Sequence, residues 1–542
     1  MSNVLESDNS SASRFASRLP VILLLFMSFA TYSAIHAPVP GVNEPHYLTK
    51  AKHYWNPQWC ADDLFLQSNN THLVFYQTVG FLTNWLTLTQ TAWVARLVVL
   101  LLLAFGWDSL MKQLFCNRWM SLWSGWCFLF FSAVGNFSGE WMVGGVESKG
   151  FAYAFLFFTL GAWMRKEYLW AGAFAGFAIS FHPIVGCWSL FAGLFALTVN
   201  WFSAKEKPET TAVPLTTCLF SLALLLLCSL PGLIPAMQML SSVPKEISVA
   251  ADDIQVYFRL KHHLDPMVFS WLAYSVYGIM TILFIGAAWG FKKVDPVRQK
   301  EHRLFFWYVM GAFLIAVAGI IVSYRTGKPP EMWQKDFRTF LLKFYTSRLF
   351  DVMMLVAASV TLVRLMSWLI SLQTLTHEET NNRKKSRLFL VWLLFAGAMF
   401  GAVLLPSIDA LPRRLQPAQR DAWREACFWI KANSSETAIV LTPRTNWAFR
   451  WFAERTDYVS YKDCPQDAPS IIEWKKRFYD MRRWRKRAMK DKLISQKELA
   501  ALRSSTGVSY ILESYKTKEK LGKVDAKIVF KNEYYRVYAI AK

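Results

Sequence analysis

The chain has 542 residues, 54% hydrophobic, 16% aromatic and only 18% charged, yet Lys and Arg outnumber Asp and Glu by 60 to 38 for a formal net charge of +22. Soluble domains carry about a quarter charged residues, so the composition argues against a soluble enzyme and against a disordered chain, and nucleic-acid binding would explain the charge but not the apolar content. A polytopic membrane protein explains both, provided the basic residues lie in cytoplasmic loops.

Crossing a bilayer takes about 20 mostly apolar residues. Such runs occur at Pro20–Ile35, Trp93–Trp107, Trp119–Val134, Phe151–Met164, Leu169–Phe181, Val185–Phe202 and Pro214–Leu233. They recur at Met267–Phe291, Leu304–Tyr324, Leu349–Leu372 and Leu388–Leu405. The expected fold is mainly α: a polytopic transmembrane helical bundle of about 11 spans with a C-terminal soluble α/β domain. Residues 1–19 are read as a cytoplasmic tail, 20–406 as the membrane domain with a long outer loop at 36–91, and 407–542 as an extracytoplasmic domain. Alternate loops are basic: Lys112 and Arg118; Arg165 and Lys166; Lys205 and Lys207; Lys292, Lys293, Arg298, Lys300 and Arg303; Arg383, Lys384, Lys385 and Arg387. The positive-inside bias then predicts a cytoplasmic N-terminus and an outer C-terminus, in the inner (plasma) membrane. The first run reads as a retained helix, because no A-x-A site follows it and Pro38 stands where cleavage would fall.

In the tail, Ala422, Trp423, Ala426, Cys427 and Ile430 mark one helix face. Ala438–Leu441, Tyr510–Leu512, Ile528–Phe530 and Tyr534–Ile540 read as strands. The stretch 473–492 is dense in Lys and Arg interleaved with apolar residues. It reads as a basic amphipathic helix able to lie on anionic lipid, or simply as a solvated helix face. Eight cysteines show no C-x-x-C spacing, although a Cys427–Cys464 bridge is open if the tail is outside.

Charges are scarce inside the apolar runs, which disfavours ion coupling. Acidic groups instead gather at the outer helix mouths. Glu44 opens the first outer loop, where a carboxylate can act as general base, bind a divalent cation such as Mg or Mn, or merely cap a helix. The same loop carries His46, Asp62 and Asp63. Between the third and fourth runs lie Glu140, Glu147 and Lys149. Glu147 and Lys149 suit a hydroxyl or metal and a phosphate respectively, or a mutual salt bridge. His182 closes the fifth run, as a structural histidine or a ligand. Arg348 opens the tenth run, as a phosphate partner or a side chain snorkelling to headgroups. There is no Walker loop, GxGxxG, HExxH or GxSxG motif.

This layout resembles the C-type superfamily of integral membrane glycosyltransferases, and within it a family of bacterial multi-spanning proteins whose reaction the resemblance does not reveal. Asn43-Glu44-Pro45-His46-Tyr47 is similar to that superfamily's acidic opening of the first outer loop, with Asn43 replacing one acid. The resemblance implies catalysis by Glu44, with Glu147 as second acid and Glu140 in reserve. It implies donor-phosphate contacts at Lys149, His182 and Arg348, substrate contacts at His46, Asp62 and Asp63, and a lipid-linked sugar donor of polyprenyl phosphate type. Any metal would fall to Glu44 and Glu147. No nucleic-acid partner is expected. The rival readings are a non-enzymatic transporter or assembly factor for lipid-linked or envelope material, and a membrane-anchored binding protein whose tail does the work.

Overall fold

The computed structural model describes residues 2–203, 213–241, 243–294, 298–376, 381–406, 415–444, 446–491, 493–517 and 520–541. Helix α1 (Ser2–His36) enters the bundle directly, so the apolar run at 20–35 is the distal part of a longer helix beginning within the expected tail. The outer loop then folds into short helices α2 (Glu44–Trp55), α3 (Leu64–Gln67) and α4 (Leu73–Thr78). The bundle resumes with α5 (Leu88–Leu114), α6 (Trp119–Val134), α7 (Ser148–Met164), α8 (Tyr168–Phe181), α9 (Pro183–Phe202) and α10 (Leu215–Ser241). After short α11 (Lys245–Asp253) and α12 (Lys261–Leu264) come α13 (Trp271–Val294), α14 (Gln299–Ser323), α15 (Lys335–Leu342), α16 (Arg348–Thr376) and α17 (Asn381–Leu404).

Every one of the eleven apolar runs is helical. Seven of these helices are long and apolar enough to cross a membrane among the described residues, and three more are shorter apolar helices. The protein is an integral membrane helical bundle. Its outer belt is apolar: Leu215, Trp271, Ile282 and Trp289 are each at least 70% exposed, which is tenable only against lipid. Lys205 and Lys207 lie outside the described residues.

The C-terminal domain contains α18 (Pro417–Asn433), β1 (Ile439–Leu441), α19 (Phe449–Ala453), β2 (Thr456–Asp457), α20 (Ala468–Ala488), β3 (Leu493–Ile494), α21 (Gln496–Thr506), β4 (Val508–Ser514), β5 (Lys523–Val524), β6 (Lys527–Lys531) and β7 (Tyr535–Ala539). Its main sheet has the order β2-β1-β4-β7-β6, parallel on the β1 side and antiparallel through β4, β7 and β6. The buried face of α18 is the one its spacing predicts: Ala422, Trp423, Ala426, Cys427 and Ile430.

Two expectations for the tail are corrected. Cys427 and Cys464 are both free thiols and sit in different apolar clusters, so they form no bridge. The apolar face of α20 is consumed by the chain itself: Ile471 and Trp474 pack on Ala251 and Ile254 beside α11, and Met481 and Ala488 enter the sheet domain's core. Only its charged face remains for any anionic surface. Packing inside the protein gains the same desolvation that a lipid surface would offer, without leaving Trp474 partly wet.

The domain is fastened to the outer loop by buried charge. Asp63 caps α3, accepting from the Phe65 and Leu66 amides, and pairs with Arg450, which also reaches Asp463 at 2.7 Å. Replacing Arg450 by Leu strands Asp63 and Asp463 without a cation. We expect the domain to loosen from the outer loop, with proteolysis of the C-terminal domain faster than in the native protein while α1 and α5–α9 stay protected.

Candidate active site

Chain reversals that close on one end of the bundle bring together the end of α1, the α6–α7 loop, the α8–α9 junction and the start of α16. Between the end of α1, the α6–α7 loop, the start of α16, α12 and the C-terminal domain lies a cavity of about 620 Å3. Its polar lining includes Glu140, Glu147, Lys149, Arg348, His46 and Asn43.

The α6–α7 loop carries three of these groups and is held from outside the loop. Asp351, one turn into α16, accepts from the backbone amides of Phe137 (3.0 Å), Ser138 (2.8 Å) and Glu140 (3.0 Å), and from the Tyr277 hydroxyl (2.5 Å). Gly139 turns the loop at φ +82°, and a side chain there would collide with the His263 ring. An Asp351→Ala change leaves three buried amides without acceptors, each costing about 1–3 kcal/mol. Thermal unfolding in detergent should show that loss, and Asp351→Asn should recover part of it.

The charged centre is a short chain. Lys149 Nζ lies 3.3 Å from Glu147 and 3.6 Å from Glu140, and 4.1 Å from the Trp141 ring centre. Glu140 continues to Arg348 at 3.1 Å. The guanidinium lies 3.8 Å over the Tyr345 ring and donates to His182 Nε2 at 2.9 Å. Both carboxylates, Glu140 and Glu147, keep a buried Oε1 without a hydrogen-bond partner among the described residues. Buried acceptors are nearly always satisfied, so these two oxygens are free to accept further hydrogen bonds.

Burial raises the Glu147 carboxyl above its ordinary range, against the opposing pull of Lys149 and a hydrogen bond from the Asn43 side chain. Asn43 is in turn oriented by the C-terminal domain: Lys462 Nζ lies 2.5 Å from its Oδ1, which turns the amide nitrogen toward Glu147. Burial and the Arg348 charge hold His182 well below the usual imidazole range, so it meets Arg348 as a neutral acceptor.

The sequence-derived candidates divide. Glu140, Glu147, Lys149, His182 and Arg348 converge, and His46 reaches the cavity's edge, 3.3 Å from Asp463. Asp63 belongs to the domain junction, and Asp62 is exposed away from the cavity.

Glu44 has a different post from the expected one. It is fully buried, and Arg96 of α5 grips it with Nε 2.5 Å from Oε1 and Nη2 2.7 Å from Oε2. The Val146 amide donates to Oε1 at 2.8 Å and the Gly41 amide to Oε2 at 2.6 Å. Four donors occupy both oxygens, which leaves no lone pair directed at the cavity. Glu44 therefore ties the outer loop to the α6–α7 loop, where a Cβ on Gly145 would stand 3.1 Å from its Cδ. The same saturation makes the residues a poor fit for a divalent cation between Glu44 and Glu147: one carboxylate is filled by a guanidinium and the other faces an ammonium. No group of three or more potential ligands occurs among the described residues.

Arg96, Asp351 and His72 carry structural work here that the sequence reading did not assign. His72, pushed down to about 3 by burial, bridges Ser148 Oγ (3.0 Å) and the Tyr47 hydroxyl (3.5 Å) beneath His182. The signal for Arg96 was an arginine inside an apolar run; for Asp351, an acid one turn into another.

A second cavity of about 410 Å3 adjoins the first and shares Tyr47, Gln255, Tyr345, Arg348 and Gln466 with it. Its other walls are chiefly apolar, among them Ile184, Trp188, Phe191, Leu233 and Leu240 from α9 and α10.

Residues 421–481 match a family model described as a domain of unknown function, DUF6798. No curated protein matches the sequence. Among solved structures, the chain is similar to ArnT from Cupriavidus metallidurans bound to undecaprenyl phosphate, at 11% identity over 98% of each chain with a TM-score of 0.48. It is similar to the same protein in the apo state at 12% identity, over 98% of each chain with a TM-score of 0.49. It is also similar to the archaeal oligosaccharyltransferase AglB from Archaeoglobus fulgidus in complex with an inhibitory peptide and a dolichol-phosphate, at 9% identity over 93% of this chain and 70% of that one, with a TM-score of 0.45.

Proposed function

We propose that this protein is an integral membrane glycosyltransferase that takes its sugar from a lipid-phosphate-linked donor, of polyprenyl phosphate type, at the outer membrane face. The observation that carries this reading is the pair of cavities meeting at Arg348. One is polar and holds two carboxylates with free oxygens; the other is apolar and walled by helices that face lipid. An amphiphile with an isoprenoid tail, a phosphate and a sugar matches that sequence of environments from groove to cavity.

In the reaction, an acceptor hydroxyl attacks the sugar's anomeric carbon while the bond from that carbon to the phosphate oxygen breaks. Glu147 takes the hydroxyl proton. Arg348 and Lys149 neutralise the charge that grows on the departing lipid phosphate, and Tyr345 and His182 hold the guanidinium in place. Glu140 keeps the two cations apart and oriented. The basic loops at the opposite end of the bundle support a cytoplasmic position for that end.

The reading is tested with undecaprenyl phosphate as the lipid probe. The purified protein should bind it, and Arg348→Gln should weaken binding by about tenfold, the value of one charge-assisted hydrogen bond of roughly 1.5 kcal/mol or more. Cells lacking the protein should accumulate lipid-linked sugar and lose a residue from a surface glycan. Unchanged lipid-linked pools and unchanged glycan would sink the reading.

The pH dependence follows from Glu147. A general base must be ionised, and burial places this carboxyl above the ordinary range. Transfer should therefore fall on the acid side at a pH above that of an ordinary glutamate, as the proton returns to Glu147. A rate profile whose acid limb lies at the ordinary carboxylate value would assign the proton acceptor elsewhere.

A further inference from the structure

We infer that the end of the bundle opposite the active site holds a binding pocket for the headgroup of an anionic phospholipid. The inference rests on the chain lying in a membrane and not on the proposed transfer reaction. A depression of about 1150 Å3 opens there, where the middle of α1 meets the ends of α5 and α7 and the starts of α6, α8 and α14. Five cations line it, Arg18, Lys112, Arg118, Arg165 and Arg298, against two carboxylates, Asp108 and Glu167.

Those two carboxylates are already taken. Asp108 is held by Arg18 through two bonds of 2.9 and 2.7 Å, and Glu167 by Arg165 at 2.8 Å. Arg118 donates to the Ser17 carbonyl, and Arg298 donates to the Gln113 carbonyl at 3.0 Å while its buried Nε has no hydrogen-bond partner among the described residues. Lys112 makes no ion pair among the described residues, although it lines the same depression. The pocket thus gathers cations in excess of its acids beside low-dielectric walls, an arrangement that an anion relieves.

The wall chemistry selects the source of that anion. The Phe158 and Phe174 rings meet at a tilt of 32° with centres 5.2 Å apart, and Trp170 continues the strip, stacked 5.7 Å from Phe174. Phe158, Trp170 and Phe174 line the depression, and Trp170 is 61% exposed. The strip extends through Phe177, 39% exposed, along the outer side of α8. A free phosphate has no use for an aromatic runway; a phospholipid places its phosphate among the cations and an acyl chain along the rings. Basic pockets between helix ends at the cytoplasmic surface are a recognised mode of headgroup binding.

The test uses the full chain in nanodiscs of phosphatidylcholine with or without phosphatidylglycerol, reading thermal stability and the lipid retained after detergent extraction. The native protein should retain phosphatidylglycerol in preference to phosphatidylcholine and melt higher in its presence. Lys112→Gln should cut the preference roughly fivefold, the value of one juxtamembrane cation. Lys112→Arg should keep it, which separates loss of charge from loss of fold. An undiminished preference in Lys112→Gln, equal retention of the two lipids by the native protein, or a loss of preference in Lys112→Arg would overturn the inference. So would inorganic phosphate reproducing the stabilisation, since the site would then be an anion site with no lipid selectivity.

Discussion

Glu147→Gln is expected to lower sugar transfer by about 10²–10⁴-fold, the usual worth of a positioned general base, while binding of undecaprenyl phosphate stays near the native value. The amide keeps the shape of the carboxylate and can still meet Lys149, 3.3 Å away in the native protein. It cannot accept a proton from an acceptor hydroxyl. Arg348, its Tyr345 platform and its bond to His182 are untouched, so the groove-side contacts to the lipid phosphate persist. A matching change, Lys462→Met, removes the group that orients Asn43 toward Glu147. Because Lys462 acts through Asn43, it should shift the acid limb of the rate profile rather than abolish turnover. If Glu147→Gln leaves transfer intact, Glu140 becomes the base and Glu147 its partner through Lys149.

Arg96→Leu should have the largest effect on folding. It leaves Glu44, which has no exposed surface, as an uncompensated buried charge held only by the Gly41 and Val146 amides. Breaking one side of a buried pair typically costs about 3–5 kcal/mol, a large part of the margin by which domains stay folded. The outer loop and the α6–α7 loop should separate, and with them Asn43 and Glu147. The measurement is unfolding in detergent together with the yield of inserted protein. The double change Glu44→Gln with Arg96→Gln removes both charges at once, and should recover most of the stability lost in Arg96→Leu. If the double variant also retains transfer, then Glu44 serves the fold and not the chemistry, as its saturated carboxylate requires.

The legibility of the site varied with the kind of interaction involved. The acids and cations at the helix mouths could be found because a charged residue just outside an apolar run is anomalous on its own, as with Glu147, Lys149 and Arg348. Glu44 was equally conspicuous, and its residue type alone could not separate base from anchor. What separates them is Arg96, fifty-two positions along the chain. Asp351 is a similar case, since its partners are backbone amides of a loop more than two hundred residues earlier.

The sequence by itself determined which segments leave water. Hydropathy over some twenty residues is a local sum, so the eleven helices, the buried stripe of α18 and the strands β1, β4, β6 and β7 of the C-terminal sheet follow from neighbours along the chain, whereas the two-residue β2 does not. Tertiary structure alone decided the partner of each buried charge and which carboxylate oxygens were left free. Ion pairing depends on the register between helices distant in sequence, and the low dielectric of the interior magnifies an ångström of that register into several kcal/mol. The same physics explains α20: an apolar stripe is written in the sequence, but whether lipid or Ile254 covers it depends on where α11 comes to lie.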